Sequence, residues 1–232
     1  MIISGLQKMT LLDYPGRVAC TVFLQGCNFR CPFCHNSGLL GAAQDDTIAE
    51  EELLDFLRKR IGILDGVCIT GGEPTLQPDL PQLLRQIKAL GYAIKLDTNG
   101  SQPHMLKQLA SEKLIDYVAM DIKNCPDRYG ETIGLSKMPA QIEQSIAFLL
   151  EGDLDYELRT TVVEEFHDEA AIEAMGQWLS RKGKAKRLFL QPYADRDSVL
   201  KQGLHSPDAE KLRRFQAILA PYTEFVEIRG AD

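Results

Sequence analysis

Residues 18–36 read Val-Ala-Cys-Thr-Val-Phe-Leu-Gln-Gly-Cys-Asn-Phe-Arg-Cys-Pro-Phe-Cys-His-Asn. The first seven residues are apolar or β-branched on both faces, the pattern of a strand buried inside a parallel sheet. A glycine and a polar, cysteine-bearing run follow at once. The form recurs at 66–70 (GVCIT), which also ends on glycine, and further strand patterns lie at 92–97, 117–122, 156–163, 187–191 and 225–228. Amphipathic, charge-flanked helical patterns alternate with them at 49–60, 80–90, 102–112, 140–150, 169–182 and 207–219. Pro207 after Ser206 reads as a first helical position behind its N-cap.

Strand then helix, repeated about six times, implies right-handed βαβ crossovers. Eight such units take about 250 residues, so the 232 residues here favour an incomplete barrel: an α/β fold, a partial (β/α)6 TIM-like barrel. No linker-like stretch or charge block divides the chain, and one domain spanning 1–232 is expected. The irregular stretches 33–48 and 123–139 are too long for ordinary turns and are expected to cover a site.

With 26 Lys and Arg against 33 Asp and Glu, the net charge is -7, which argues against a broad basic surface for nucleic acid. The start carries no apolar core with a small-residue cleavage site, and no apolar run reaches the ~20 residues of a membrane span. A cytoplasmic protein with no membrane and no nucleic-acid partner is expected.

The six cysteines are Cys20, Cys27, Cys31, Cys34, Cys68 and Cys125. In a reducing compartment their clustering points to metal or catalysis rather than disulfides. Cys27, Cys31 and Cys34 form a C-x3-C-x2-C run just past the first predicted strand, at what would be the C-terminal mouth of a barrel. Three thiolates on one loop can ligate three irons of a cubane and leave the fourth open to a substrate. The same three with His35 could instead make a Cys3His zinc site. Cys20, Cys68 and Cys125 are isolated in or beside strands and read as packing thiols.

The string Gly26–Asn36, GCNFRCPFCHN, resembles the cluster loop of radical S-adenosylmethionine (SAM) enzymes, in particular those that activate glycyl radical enzymes. Within that group the similarity is greatest to activators of anaerobic ribonucleoside-triphosphate reductase. It runs from about Gly5 to Arg229 and implies the radical SAM type of partial barrel. It also implies a [4Fe-4S] cluster on Cys27, Cys31 and Cys34, and SAM bound nearby with Phe33 at the cluster loop. Four further segments carry it. Gly71-Gly72-Glu73-Pro74 follows the second predicted strand, where glycines permit close backbone approach, and the resemblance places SAM's amino group there. Asp97-Thr98-Asn99-Gly100 ends the third strand and Met120-Asp121-Ile122-Lys123 the fourth. The resemblance assigns Asp97, Thr98 and Asp121 to a monovalent cation (Na+ or K+) beside the SAM carboxylate, with Lys123 near the nucleoside and Asn99 among the cofactor-binding residues. By composition alone these are a turn and a surface ion pair. Arg159, in ELRTTVV, is implied to face the SAM carboxylate, and Gln191 to flank the adenosine.

Two departures stand out. Relatives carry a histidine just beyond this point, where Ala194 follows Tyr193 here. The relatives' Gly-Pro-Gly segment ahead of the cluster, implied to lie where a partner's peptide enters, is replaced by Asp13-Tyr14-Pro15-Gly16-Arg17.

The activity so implied is reductive cleavage of SAM to methionine and a 5'-deoxyadenosyl radical, with one electron from a flavodoxin- or ferredoxin-type donor. That radical would take the Cα hydrogen of a glycine in a partner glycyl radical enzyme, anaerobic ribonucleoside-triphosphate reductase being the expected one. The competing readings are a radical SAM enzyme acting on a small molecule or peptide, and a metal-binding interaction module without catalysis. No side-chain acid, base or nucleophile is needed for the hydrogen transfer.

Overall fold

The computed structural model describes residues 1–41, 47–196 and 198–230, so residues 42–46 of the expected loop at 33–48 lie outside the described part. Eight strands take sheet order β1 to β8, the order in which the chain makes them. They are β1 (Ile3–Thr10), β2 (Ala19–Leu24), β3 (Gly66–Gly71), β4 (Ala93–Thr98), β5 (Tyr117–Asp121), β6 (Asp155–Val162), β7 (Leu188–Pro192) and β8 (Val226–Ile228). Seven α-helices alternate with them: α1 (Glu50–Arg58), α2 (Leu80–Ala89), α3 (Pro103–Ser111), α4 (Pro126–Ile133), α5 (Gln141–Glu151), α6 (Glu169–Leu179) and α7 (Ala209–Leu219).

The chain divides into two compact units: Met1–Asn28 with Gly38–Thr98 and His104–Val118, and Phe29–Ser37 with Asn99–Pro103 and Ala119–Asp232. In the first, β1 runs antiparallel to β2, while β2, β3 and β4 are parallel. Ala19, Cys20, Val22 and Leu24 of β2 and Val67, Cys68 and Ile69 of β3 are fully buried, as their two-sided apolar pattern requires. Three glutamates in the first turn of α1 and Arg58 in its last complement the helix dipole, while Leu53, Leu54 and Leu57 turn inward. Helix α2 likewise buries Leu80, Leu83, Leu84 and Ile87.

In the second unit β6, β7 and β8 are parallel, and α6 and α7 are N-capped by Asp168 and Asp208. The Asp208 side chain accepts a hydrogen bond from the Lys211 amide at 2.7 Å, and α7 begins at Ala209. The Ser206 cap and Pro207 start expected from sequence are therefore displaced by two residues, because the charged carboxylate two positions on binds the orphan amides better.

Two elements were not expected. Strand β1 lies in a stretch with few buried residues, and α4 occupies the middle of the supposed loop 123–139. Helix α4 starts on Pro126, and Gly134 closes it in the left-handed conformation at φ 73°.

Residues 13–17 lie in the turn between β1 and β2, at the N-terminal end of β2 and so at the opposite end of that strand from Cys27. Tyr14 is buried at 3% exposure with Ala19 and Tyr117, the two tyrosine rings 6.1 Å apart. Of this segment only Tyr14 is buried, while Pro15, Gly16 and Arg17 are exposed. No helix among the described residues is long and apolar enough to cross a membrane.

The displaced cap is testable by urea unfolding: Asp208→Ala should cost about 1 kcal/mol, and Ser206→Ala should change stability by less than about 0.5 kcal/mol.

Candidate active site

In the first unit the site starts from strand register. Parallel pairing sets Gly71 of β3 beside Leu24 of β2. The Gly72 amide donates to the Leu24 carbonyl at 2.9 Å, and the Glu73 amide to the Gly26 carbonyl at 2.7 Å. A Cβ on Gly72 would stand 2.0 Å from the Gly26 carbonyl oxygen, and one on Gly71 2.3 Å from Leu24 backbone atoms. Only glycine lets these segments touch, and what they fasten is the residue immediately before Cys27.

Past this contact the chain makes a short 3-10 turn at Pro74–Leu76 with Glu73 as its cap. The Glu73 side chain is 1% exposed. Its Oε1 accepts from the Thr75 amide at 3.1 Å, from the Thr75 hydroxyl and from the Thr98 hydroxyl at 2.7 Å. A buried carboxylate is tolerable on these terms. The Gln77 amide side chain donates to the Gln25 carbonyl at 2.7 Å, tying the turn once more to the segment before Cys27.

Asp97, at the end of β4, is paired with Lys95 two residues earlier on the same strand face. Lys95 is buried, and its ammonium also lies 3.8 Å from the Cys68 thiol, opposite it in the β3–β4 register.

In the second unit Cys31 and Cys34 close a tight turn, the Cys34 amide donating to the Cys31 carbonyl at 3.0 Å. Arg30 donates its amide to the Ile133 carbonyl at 2.8 Å, and Lys201 its amide to the Pro32 carbonyl at 2.9 Å. The His35 ring stacks on Tyr193 with centroids 5.7 Å apart, and its Nε2 faces the Ala194 carbonyl oxygen at 2.7 Å. A carbonyl only accepts, so Nε2 carries the proton and Nδ1 is the nitrogen left with a lone pair. Ser198 donates to the His35 carbonyl at 2.8 Å, so the segment after β7 holds the cysteine turn from several sides. Phe33 is buried with its ring 5.9 Å from that of Phe166, which makes the side chain a packing group.

Asp121 ends β5 between two cations: Arg159 Nε donates to Oδ1 and Lys123 Nζ to Oδ2, each at 3.0 Å. Burial pushes its pKa up, but the charges of Arg159 and Lys123 outweigh burial and hold it at about 2. Burial works against the Lys123 charge too, and Asp121 and the neighbouring Cys31 thiol more than compensate, raising it. His167, not singled out by sequence, is buried at 1% exposure. Its Nδ1 accepts the Val163 amide at 3.0 Å, leaving Nε2–H to hold the Lys123 carbonyl at 3.0 Å. Asn99 is buried, its Oδ1 accepting the Ser101 amide at 2.9 Å in a turn. Gln191 is half-buried on β7, paired in register with Thr161 of β6.

Of the residues expected from sequence, the structure therefore joins Gly71, Gly72, Glu73 and Thr98 in one network beside Cys27, with Asp97 held by Lys95. It joins Asp121, Lys123 and Arg159 in another that senses Cys31. Lys95 and His167 were missed. Lys95 had a signal, a charge inside the otherwise apolar run 92–96; His167 had none. None of the six cysteines is in a disulfide.

Comparison with known proteins gives a match to the Radical SAM superfamily model over residues 21–176. A Methanocaldococcus jannaschii protein whose name assigns it to the glycyl-radical enzyme activating enzymes is 32% identical over 98% of this chain and 95% of its own. The pyruvate formate-lyase-activating enzyme of Clostridium pasteurianum is 35% identical over 54% of this chain and 53% of its own. Among solved structures, a radical SAM methyltransferase from Sphaerobacter thermophilus superposes with a TM-score of 0.73 over 95% of this chain and 68% of its own, at 17% identity, and shares the fold.

The ion triad has a pH consequence. Asp121 falls from an ordinary 3.8 to about 2 on folding, so the stability it contributes is complete above about pH 4 and lost as pH drops through about 2. Asp121→Asn should be less stable than wild type by about 2 kcal/mol above pH 4, the gap closing toward pH 2 in denaturant unfolding.

Proposed function

The chain belongs to the radical SAM superfamily, and on that premise we propose that it activates a glycyl radical enzyme, with anaerobic ribonucleoside-triphosphate reductase as the partner. The reading is supported by the near full-length similarity to a protein named as such an activator, combined with a C-x3-C-x2-C segment anchored at the end of β2.

The donor set fits a [4Fe-4S] cluster with one iron open to SAM. Cys27, Cys31 and Cys34 stand on one irregular segment and are in no disulfide, and thiolates are the ligands such clusters take. The other three cysteines are buried, and burial pushes the Cys20 thiol up to about 12, so it stays protonated and does not compete. When bound, the cluster and SAM would supply hydrogen-atom abstraction: one-electron reduction would release methionine from SAM, and the remaining adenosyl group would become 5'-deoxyadenosine by taking a hydrogen atom from a glycine Cα.

The chain's own residues act by placement. Gly71 and Gly72 let the end of β3 lie against the segment that leads into Cys27, which fixes where that cysteine stands. Glu73 keeps an oriented carboxylate beside them through its threonine donors. Arg159 and Lys123 bring positive charge suited to a ligand carboxylate, with Asp121 fixing their directions. Asn99 and Gln191 are assigned to the nucleoside end, and Phe33 contributes through the backbone of the cysteine turn. A flavodoxin- or ferredoxin-type protein is the proposed electron source.

Anaerobically reconstituted protein given reductant and SAM should release 5'-deoxyadenosine, and Cys31→Ala should abolish both release and iron binding. Mixed with the true partner, it should generate a glycyl doublet in electron paramagnetic resonance. Release driven by a small molecule with no partner protein present would refute the activating role.

A further inference from the structure

The expected monovalent cation does not fit the residues assigned to it. Asp97 and Asp121 were the carboxylate ligands, and each already holds a cation of the chain. Asp97 pairs with the Lys95 ammonium, and Asp121 lies 3.0 Å from both Arg159 Nε and Lys123 Nζ.

Lys95 is the decisive residue. It is 2% exposed, and its ammonium makes contact with Asp97 Oδ1 and the Cys68 thiol alone among the described residues. An ion pair this enclosed is lost at high cost if one partner is removed. An ammonium carries the same charge as Na+ or K+ and is close to K+ in size. Once it stands at Asp97, a second monovalent cation there would meet repulsion from Lys95 and a carboxylate already neutralised.

We propose that Lys95 supplies, as part of the chain, the positive charge at Asp97 that a bound monovalent metal cation would otherwise supply, and that SAM binding by this protein is independent of Na+ and K+. The proposal rests on the radical SAM reading of the site. Lys95 is a positioning residue: it fixes and neutralises Asp97 from within the sheet.

The test compares reconstituted wild-type protein in K+, in Na+ and in tetramethylammonium as sole monovalent cation, reading SAM affinity and 23Na relaxation with K+ as competitor. Wild-type SAM affinity should agree within about twofold across the buffers, with no K+-displaceable 23Na signal. Lys95→Met should bind SAM about tenfold more weakly in tetramethylammonium, recover in K+, and gain a displaceable 23Na signal. A wild type that loses about tenfold in affinity without Na+ or K+, or shows a displaceable 23Na signal, overturns the proposal. So does a folded Lys95→Met variant that binds SAM like wild type in every buffer. If SAM binds in no buffer, the radical SAM reading of the site fails, and the wild-type 23Na signal still decides whether a cation site exists. A Lys95→Met variant that does not fold leaves the decision to the wild-type comparison.

Discussion

The backbone contact between Gly72 and Gly26 is the constraint on which the first unit's network beside Cys27 depends. Parallel pairing of β2 and β3 brings two chain segments out of the sheet side by side, and a single methyl group on either Gly71 or Gly72 would separate them. Because they touch, the Glu73 amide can reach the Gly26 carbonyl, and the side chain of Glu73 is delivered to Thr75 and Thr98. The position of Cys27 follows from the same contact, one residue on. Rigid strands and a short-range steric rule thus do the work that a long loop could not.

Charge is managed locally in both units. Glu73 is held by neutral donors, Asp97 by Lys95, and Asp121 by Arg159 and Lys123. Each carboxylate has its own partner, so each is fixed in direction before any ligand arrives. Preorganisation of this sort means that little reorientation is left for the binding step. It also explains why burial, which opposes ionisation of Asp121 and of Lys123 alike, leaves both charged: the Coulomb attraction within the triad exceeds the cost of burial.

How far this was legible in the sequence depended on whether the signal was local. Strands β2 and β3 announced themselves because both faces are buried and every residue is apolar or small. Strand β1 did not, because an edge strand with Lys8 and Met9 turned outward has no need of that pattern. Helix α4 was hidden by Pro126, Gly130 and a polar composition that read as loop. The three cysteines were legible from spacing, since spacing on one loop is what ligation requires. The Asp121–Arg159 pair spans 38 residues, and no spacing rule connects them. Lys95 could be seen as an odd charge in an apolar strand, yet its partner and its consequence for a cation needed coordinates.

We propose that Cys27, Cys31 and Cys34 hold a cluster whose remaining iron is open to SAM, with the buried Cys20, Cys68 and Cys125 taking no part. Electron paramagnetic resonance of the reduced, reconstituted protein with and without SAM tests it most directly. A spectrum that changes shape when SAM is added is the predicted result. A spectrum indifferent to SAM, or a reconstituted protein holding one zinc and no iron, would contradict it.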